Sequence, residues 1–214
     1  MFGLSNVIYK TCNWIMLFAY VNVLWWVFTL VGLGIFGLFP ATIATFTVVR
    51  KWIIDKEDSV YIFKLFVSTY KQLFVQSNAI GLVLIIFGLI LYTDFNYINQ
   101  SNGMFINAMT LVFSIILVLF AVISLFIFPV YVHYKASFIQ YFKFACVIGM
   151  INPIITFVMF AVIFLSVFLS TAIPFLIPFF SISITSYLLM ELSNKAFRKV
   201  EQKNAKHSKN VMVN

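Results

Sequence analysis

The sequence predicts an all-α protein, a polytopic bundle of transmembrane helices, and three observations support this class. Of the 214 residues, 63% are hydrophobic and 9% are charged, whereas a soluble domain is roughly half apolar and about a quarter charged. The apolar residues form long runs that approach the roughly 17–25 residues needed for one helical crossing. Lys and Arg lie mainly between these runs or in the C-terminal tail. The net charge of +8 therefore indicates membrane orientation rather than nucleic-acid binding.

Six crossings are predicted, and an alternative with five remains open. The apolar runs span residues 14–31, 35–49, 80–92, 104–131 and 144–190, and the last run must fold back near residues 170–174. The run 35–49 is marginal, because it contains Pro40 and three threonines and an apolar residue contributes only about −0.3 to −0.6 kcal/mol to insertion. If residues 13–49 instead form one long crossing and an interfacial segment, five crossings result and the N-terminus lies outside.

The distribution of charge predicts which side of the bundle faces the cytoplasm. Residues 50–71 carry five Lys or Arg, residues 133–143 carry two and the tail carries six, whereas residues 94–103 carry none. Because positive loops stay in the cytoplasm, the C-terminus is predicted to be cytoplasmic. Residues 1–194 are predicted to form a single transmembrane domain, and residues 195–214 a basic, disordered cytoplasmic tail.

Residues 59–75 are predicted to form an amphipathic interfacial helix. Apolar residues recur there at helical spacing, while Lys64 and Lys71 fall between them. Two interpretations stay open: the lysines anchor the helix to lipid headgroups, or the helix docks a cytoplasmic partner such as a transport ATPase. Arg50 and Lys51, which end the preceding run, belong to the same predicted lipid or partner contact.

No catalytic, cofactor or metal site is predicted. The predicted crossings contain essentially no ionisable residue, although such residues at bilayer depth usually mark function. His133 and His207 are isolated and offer neither metal-ligand spacing nor an acid–base pair. Gly32, Gly34 and Gly37 match the spacing of a dinucleotide-binding loop, but they follow a membrane helix rather than a strand. They therefore predict a tight turn or a close approach of helices.

Polar groups within the predicted crossings are confined to amides and hydroxyls. The asparagines among them are Asn22, Asn78, Asn107 and Asn152. Their default role is hydrogen bonding between helices. A second interpretation stays open, in which the four amides form the binding site of a transporter, because helices broken as at Asn152-Pro153 can mark such sites.

Residues 17–52 resemble the start of the YesL-like family, small bacterial integral membrane proteins of unassigned function. The family pattern is an Asn-plus-aromatic helix, a Gly-Pro-Ala-Thr step and a short helix ending in Arg-Lys. The matching residues here are Asn22, Pro40, Ala41, Thr42, Arg50 and Lys51. Phe39 departs from the pattern, because the family usually has Gly at that position.

The resemblance implies a multi-pass protein of the bacterial cell membrane whose relatives are often encoded beside carbohydrate uptake systems. The expected function is a non-enzymatic accessory or regulator of carbohydrate transport, with the lipid bilayer and subunits of a sugar importer as partners. The alternative is a small membrane transporter in its own right. No cofactor is expected, and the resemblance supplies no catalytic or binding residues.

Overall fold

The structure, a computed structural model, describes residues 2–55, 61–100 and 104–213. Within these ranges every regular element is helical, which confirms the all-α prediction. The helices are α1 Phe2–Val31, α2 Ile35–Arg50, α3 Ile62–Gln100, α4 Met104–His133, α5 Phe138–Ile151, α6 Pro153–Ala172, α7 Leu176–Phe179 and α8 Ser181–Val213. A π-helical turn, Lys51–Asp55, follows α2.

Within the described ranges, four helices contain segments that are long and apolar enough to cross a membrane. These segments are Thr11–Val31, Ile62–Ile98, Met109–His133 and Pro153–Ala172. A helix satisfies its own backbone hydrogen bonds, so long apolar helices are the expected elements of a chain in lipid. With 16 residues, α2 is shorter and remains the marginal crossing, so the choice between six and five crossings stays a prediction.

The connection between α1 and α2 is a tight turn with the hydrogen bonds of a Schellman motif. The Gly34 amide donates to the Thr29 carbonyl over 2.9 Å, and the Leu33 amide donates to the Leu30 carbonyl over 3.0 Å. Leu33 and Gly34 have φ values of 60° and 76°. The predicted tight turn is confirmed, and Leu33 occupies the left-handed position that usually holds glycine.

The other two glycines of this stretch allow close approach of helices. A Cβ atom on Gly37 would meet the backbone of Phe28 and Thr29, and one on Gly32 would lie 2.5 Å from the Tyr70 hydroxyl oxygen. The Tyr70 hydroxyl donates to the Phe28 carbonyl over 3.0 Å. The glycines therefore bring α1, α2 and α3 together at this end of α1.

The helix α3 begins in the predicted amphipathic segment and continues into the next apolar run without a break. Phe66 and Tyr70 are buried, and their rings lie 5.3 and 5.0 Å from the ring of Phe28. Lys64 and Lys71 are exposed. The predicted two-faced helix is therefore present from Ile62 onward, residues 59 and 60 lie outside the described residues, and the location of the helix at the membrane surface stays a prediction.

The helix α2 lies at the centre of the bundle and packs against α1, α3, α4 and α8. Nine of its 16 residues are buried, and small residues such as Ala41 and Ala44 let the neighbours approach closely. The hydroxyl of Thr45 donates to the Ala41 carbonyl of the same helix over 3.0 Å. Protein rather than lipid thus surrounds much of α2, which explains how a weakly apolar helix is accommodated.

The helix α5 packs against α4 before the chain breaks. Gly149 approaches α4 so closely that a Cβ atom there would meet Val122, and the rings of Tyr131 and Tyr141 are 4.7 Å apart. The break predicted from Asn152-Pro153 is present, with Pro153 as the first residue of α6. Proline is tolerated there because the first turn of a helix has unpaired amides in any case.

The C-terminal helix corrects one prediction. The tail 195–214 was expected to be disordered, but α8 continues through it to Val213. Lys, Ala, Arg, Glu and Gln together make up 10 of the 20 residues of this segment, and all of them have high intrinsic helix propensity. Polarity therefore did not exclude a helix, and the beginning of the tail packs into the bundle through Ala196 and Phe197, which are buried.

Candidate functional site

Asn22 of α1 forms hydrogen bonds both to α7, the short helix before α8, and to the beginning of α8. Its Nδ2 donates to the Ile177 carbonyl over 3.0 Å, while its Oδ1 accepts from the amides of Ile182 and Ser183 over 3.0 and 3.2 Å. These amides lie in the first turn of α8, where no intrahelical carbonyl is available. Asn22, which is fully buried, thus caps α8 from a different helix.

Of the four predicted asparagines, the three whose side chains the structure describes, Asn22, Asn78 and Asn152, are not hydrogen-bonded to one another. Asn78 Nδ2 donates to the Phe74 carbonyl over 2.8 Å, and Asn152 Nδ2 donates to the Ile148 carbonyl over 3.0 Å. Both acceptors lie one turn earlier in the same helix. The side chain of Asn107 lies outside the described part of the structure, so a shared binding site stays a prediction.

A cavity of about 700 Å³ lies next to the segment that Asn22 holds and is bounded by α2, α4, α6 and α8. Two pairs of hydroxyls cross from α6 to α8 along its wall. Thr185 Oγ1 donates to Ser166 Oγ over 2.8 Å, and the hydroxyls of Ser170 and Ser181 are 2.8 Å apart. The volume is typical of small-molecule sites, and we call this space the α6–α8 cavity.

The spacing of the hydroxyl residues in the sequence is a signal for this cavity that the prediction of an asparagine site does not include. Ser166 and Ser170 are four residues apart, as are Ser181 and Thr185, and this spacing places each pair on one helix face. Only the folded chain shows that the two faces meet, because the paired residues are 11 and 19 positions apart across the turn.

A polar cluster lies where the C-terminal end of α4 meets α8. His133 Nε2 is 3.7 Å from Glu201 Oε1, and the Tyr134 hydroxyl donates to the same carboxylate over 3.3 Å. Burial and the neighbouring carboxylate raise the pKa of Tyr134 to about 12. The phenol therefore keeps its proton at neutral pH and acts as a hydrogen-bond donor rather than as a base.

The four predicted contact residues have different surroundings. Arg50 lies within electrostatic range of His133, and its Nε is buried with no hydrogen-bond partner among the described residues. Lys51 is half-buried in the π-helical turn, whereas Lys64 and Lys71 are exposed on α3. Their roles in contacting lipid or a partner stay predictions.

Metal-ligating side chains are not clustered in the part of the chain that the structure describes. No group of three or more His, Cys, Asp or Glu residues that could hold a metal ion occurs there. Cys12 and Cys146 are free thiols.

Comparison with known proteins decides the family. A family model described as a protein of unknown function, DUF624, matches residues 18–95. The uncharacterized protein YesL of Bacillus subtilis strain 168 is 36% identical over 204 residues, which cover 95% of this chain and 96% of that protein. This chain belongs to the YesL-like DUF624 family. The resemblance found in residues 17–52 is thereby confirmed.

Two further relatives in the YesL-like family come from the same organism. The uncharacterized protein YteU is 39% identical over 193 residues, covering 90% of this chain and 86% of that protein. The uncharacterized protein YesV is 35% identical over 152 residues, covering 71% and 73% respectively. No solved structure matches the chain. The segment matched by the DUF624 model contains Asn22, all of α2 and the amphipathic part of α3.

Proposed function

We propose that this YesL-like protein is a non-enzymatic accessory or regulatory component of a carbohydrate importer in the bacterial cell membrane. Its four long apolar helices are those of a multi-pass membrane protein, and its family is one of unknown function. The family resemblance supports the link to carbohydrate transport, and the exposed face of α3 supports a role in docking.

The observation that carries the docking role is the unpartnered face of the first turns of α3. Phe66 and Tyr70 fix this segment to α1. The opposite side exposes Lys64, Lys71 and Val75, which are seven and four residues apart and so share one helix face. A face that combines basic and apolar side chains suits either a protein groove with an acidic rim or anionic headgroups.

Copurification tests the docking role. The full chain, coexpressed with a carbohydrate importer, is extracted in mild detergent and captured through a tag. Lys64→Glu combined with Lys71→Glu is expected to remove the importer from the eluate, because the substitutions reverse the charge of the proposed docking face. Lys143→Glu, which reverses an exposed charge on α5, is the matched control and should retain the importer.

Two outcomes of this experiment contradict the proposal. The first is recovery of the wild-type chain alone under conditions that preserve the assembled importer. The second is equal loss of the importer from the Lys143→Glu control, because general charge rather than the α3 face would then explain the contact.

A second candidate function, a small transporter, is favoured by one specific observation. The chain is interrupted between α6 and α8, and Asn22 holds the interruption through Ile177, an arrangement that resembles the discontinuous helices of transporters. Sugar uptake into proteoliposomes that contain only this chain would support it. Uptake that is unchanged in variants carrying leucine at the four predicted asparagines would remove the proposed site.

A further inference from the structure

We propose that the α6–α8 cavity binds one neutral lipid with a hydroxyl-bearing headgroup, of the diacylglycerol class. The cavity holds about 700 Å³ and is walled partly by α4 and α6, both of which contain candidate membrane spans. A ligand therefore reaches it most directly from the lipid phase. The proposal is independent of any role in carbohydrate transport.

The side chain that points to a ligand is Ser186. It lines the cavity, and only 3% of the residue is exposed. No hydrogen bond from its hydroxyl to another described residue is seen, and the same holds for the half-buried Ser124, which lines the cavity from α4. Neither hydroxyl is among the fully buried polar atoms that lack a partner in the described part of the chain, so both are accessible from the cavity and can bond to a ligand there.

The neighbouring hydroxyls already form hydrogen bonds within the protein. Ser166 pairs with Thr185, and Ser170 pairs with Ser181, so these four residues hold α6 and α8 together. A ligand that supplies both a donor and an acceptor would complete the pairing at Ser124 and Ser186. The hydroxyl and ester groups of a diacylglycerol provide both functions.

The remaining surface of the cavity selects against a charged headgroup. Its described lining contains no Lys, Arg, His, Asp or Glu, and apolar side chains such as Phe128, Ile163 and Leu189 form most of the rest. A phosphate placed there would lose water without gaining a cationic partner. The apolar wall suits an acyl chain, since contact with it keeps the chain in a hydrocarbon-like environment.

The mouth of the cavity is built by the segment that Asn22 fixes. Pro174 and Ile177 line the cavity, and the Ile177 carbonyl accepts the hydrogen bond from Asn22. On the α6 side, Val167 lines the opening and is 58% exposed. The cavity therefore has a fixed rim next to an apolar surface, across which a lipid tail can enter sideways.

Photolabelling of the purified full chain tests the proposal. A diacylglycerol with a diazirine in one acyl chain is added to the protein in detergent micelles, and labelled peptides are identified by mass spectrometry. Label is expected within residues 163–174 and 181–189, with competition by unlabelled diacylglycerol but not by phosphatidylglycerol. Ser124→Phe, which fills the cavity, is expected to lower this labelling about tenfold, the change that a loss of about 1.4 kcal/mol in binding produces.

Two further variants serve as a control for Ser124→Phe and as an independent test of the Ser186 hydroxyl. Ser114→Phe places the same side chain on the exposed face of α4 and is expected to label as the wild type does. Ser186→Ala removes only the unpaired hydroxyl and is expected to weaken labelling even if Ser124→Phe does not fold. The proposal is overturned if phosphatidylglycerol competes equally, if label is spread over the α3 and α4 surfaces, or if Ser186→Ala labels like the wild type.

Discussion

At the scale of the residue, Asn22 is the polar side chain with the clearest structural role. Its side chain donates to the Ile177 carbonyl in α7 and accepts from the amides of Ile182 and Ser183 at the beginning of α8. Few side chains can satisfy both kinds of backbone group, but a carboxamide carries a donor and an acceptor on one planar group. The amide therefore fixes the angle at which α8 leaves the turn.

Replacement of Asn22 by leucine is expected to lower the free energy of unfolding by about 1–3 kcal/mol, since three hydrogen bonds are lost and buried backbone groups are left unpaired. Unfolding in mixed micelles with increasing denaturing detergent measures this quantity. Asn96→Leu is the control, because Asn96 bonds only to Tyr92 in the previous turn of α3. Equal stabilities of the two variants would show that the bridge contributes nothing measurable.

The sequence indicated that Asn22 forms hydrogen bonds between helices but could not indicate which ones. Its partners lie 155 to 161 residues away, and no local pattern encodes a contact at such separation. The same limit applies to His133, which looked isolated because Glu201 lies 68 positions further along the chain.

At the scale of the element, Phe39 and Gly81 explain how α2 and α3 pack. Phe39 is the departure from the family pattern, in which glycine is usual. Its ring lies over Gly81, where a Cβ atom would collide with the ring carbons. A large residue on α2 is thus matched by the absence of a side chain on α3, so the helices stay close despite the departure.

Gly81→Val is expected to destabilise the protein by about 1–3 kcal/mol, because the added methyl groups overlap the Phe39 ring in a packed interface. Adding Phe39→Ala should recover part of the loss, since the two positions are in direct contact and their effects are not additive. Thermal unfolding, monitored by size-exclusion chromatography, compares the stability of Gly81→Val with that of the double variant.

Gly88→Val provides the control for this experiment. A Cβ atom at Gly88 would meet only one ring carbon of Phe120, at 3.7 Å, so a change below about 0.5 kcal/mol is expected. A loss at Gly88 equal to that at Gly81 would mean that glycine in α3 matters for helix flexibility rather than for contact with Phe39.

The elements that the sequence predicted best are those whose periodicity or apolar length is local. The apolar runs identified α1, α3, α4 and α6, and Asn152-Pro153 identified the break before α6. The tail from residue 195 was predicted to be disordered because of its polarity, whereas α8 extends through it to Val213. The central position of α2 could not be predicted, since it depends on contacts with α1, α3, α4 and α8.

At the scale of the whole molecule, the distribution of charge predicts how the bundle is oriented in the membrane. The connection between α1 and α2 has no charged residue, whereas the segments that follow α2 and α4 and the end of α8 carry Lys or Arg. With six crossings, the α1–α2 turn faces outside and the three basic segments face the cytoplasm. With five crossings, the turn lies on the cytoplasmic side.

Labelling of single cysteines distinguishes these two arrangements. In a background of Cys12→Ser and Cys146→Ser, a membrane-impermeant maleimide is expected to label Ile35→Cys in intact cells, because Ile35 is 67% exposed next to the turn. Lys199→Cys, exposed on α8, should react only after permeabilisation. Labelling of both positions from one side would contradict six crossings.

Lipid, not water, surrounds the outer surface of the bundle. Side chains such as Leu111, Phe157 and Phe164 are 64–76% exposed, although soluble proteins seldom expose apolar patches beyond about 300–600 Å². Sedimentation of cell membranes after washing with alkaline carbonate tests this location. The full chain is expected to stay in the pellet and to be released only by detergent; its recovery as a compact monomer in the detergent-free supernatant would show that water, not lipid, surrounds the bundle.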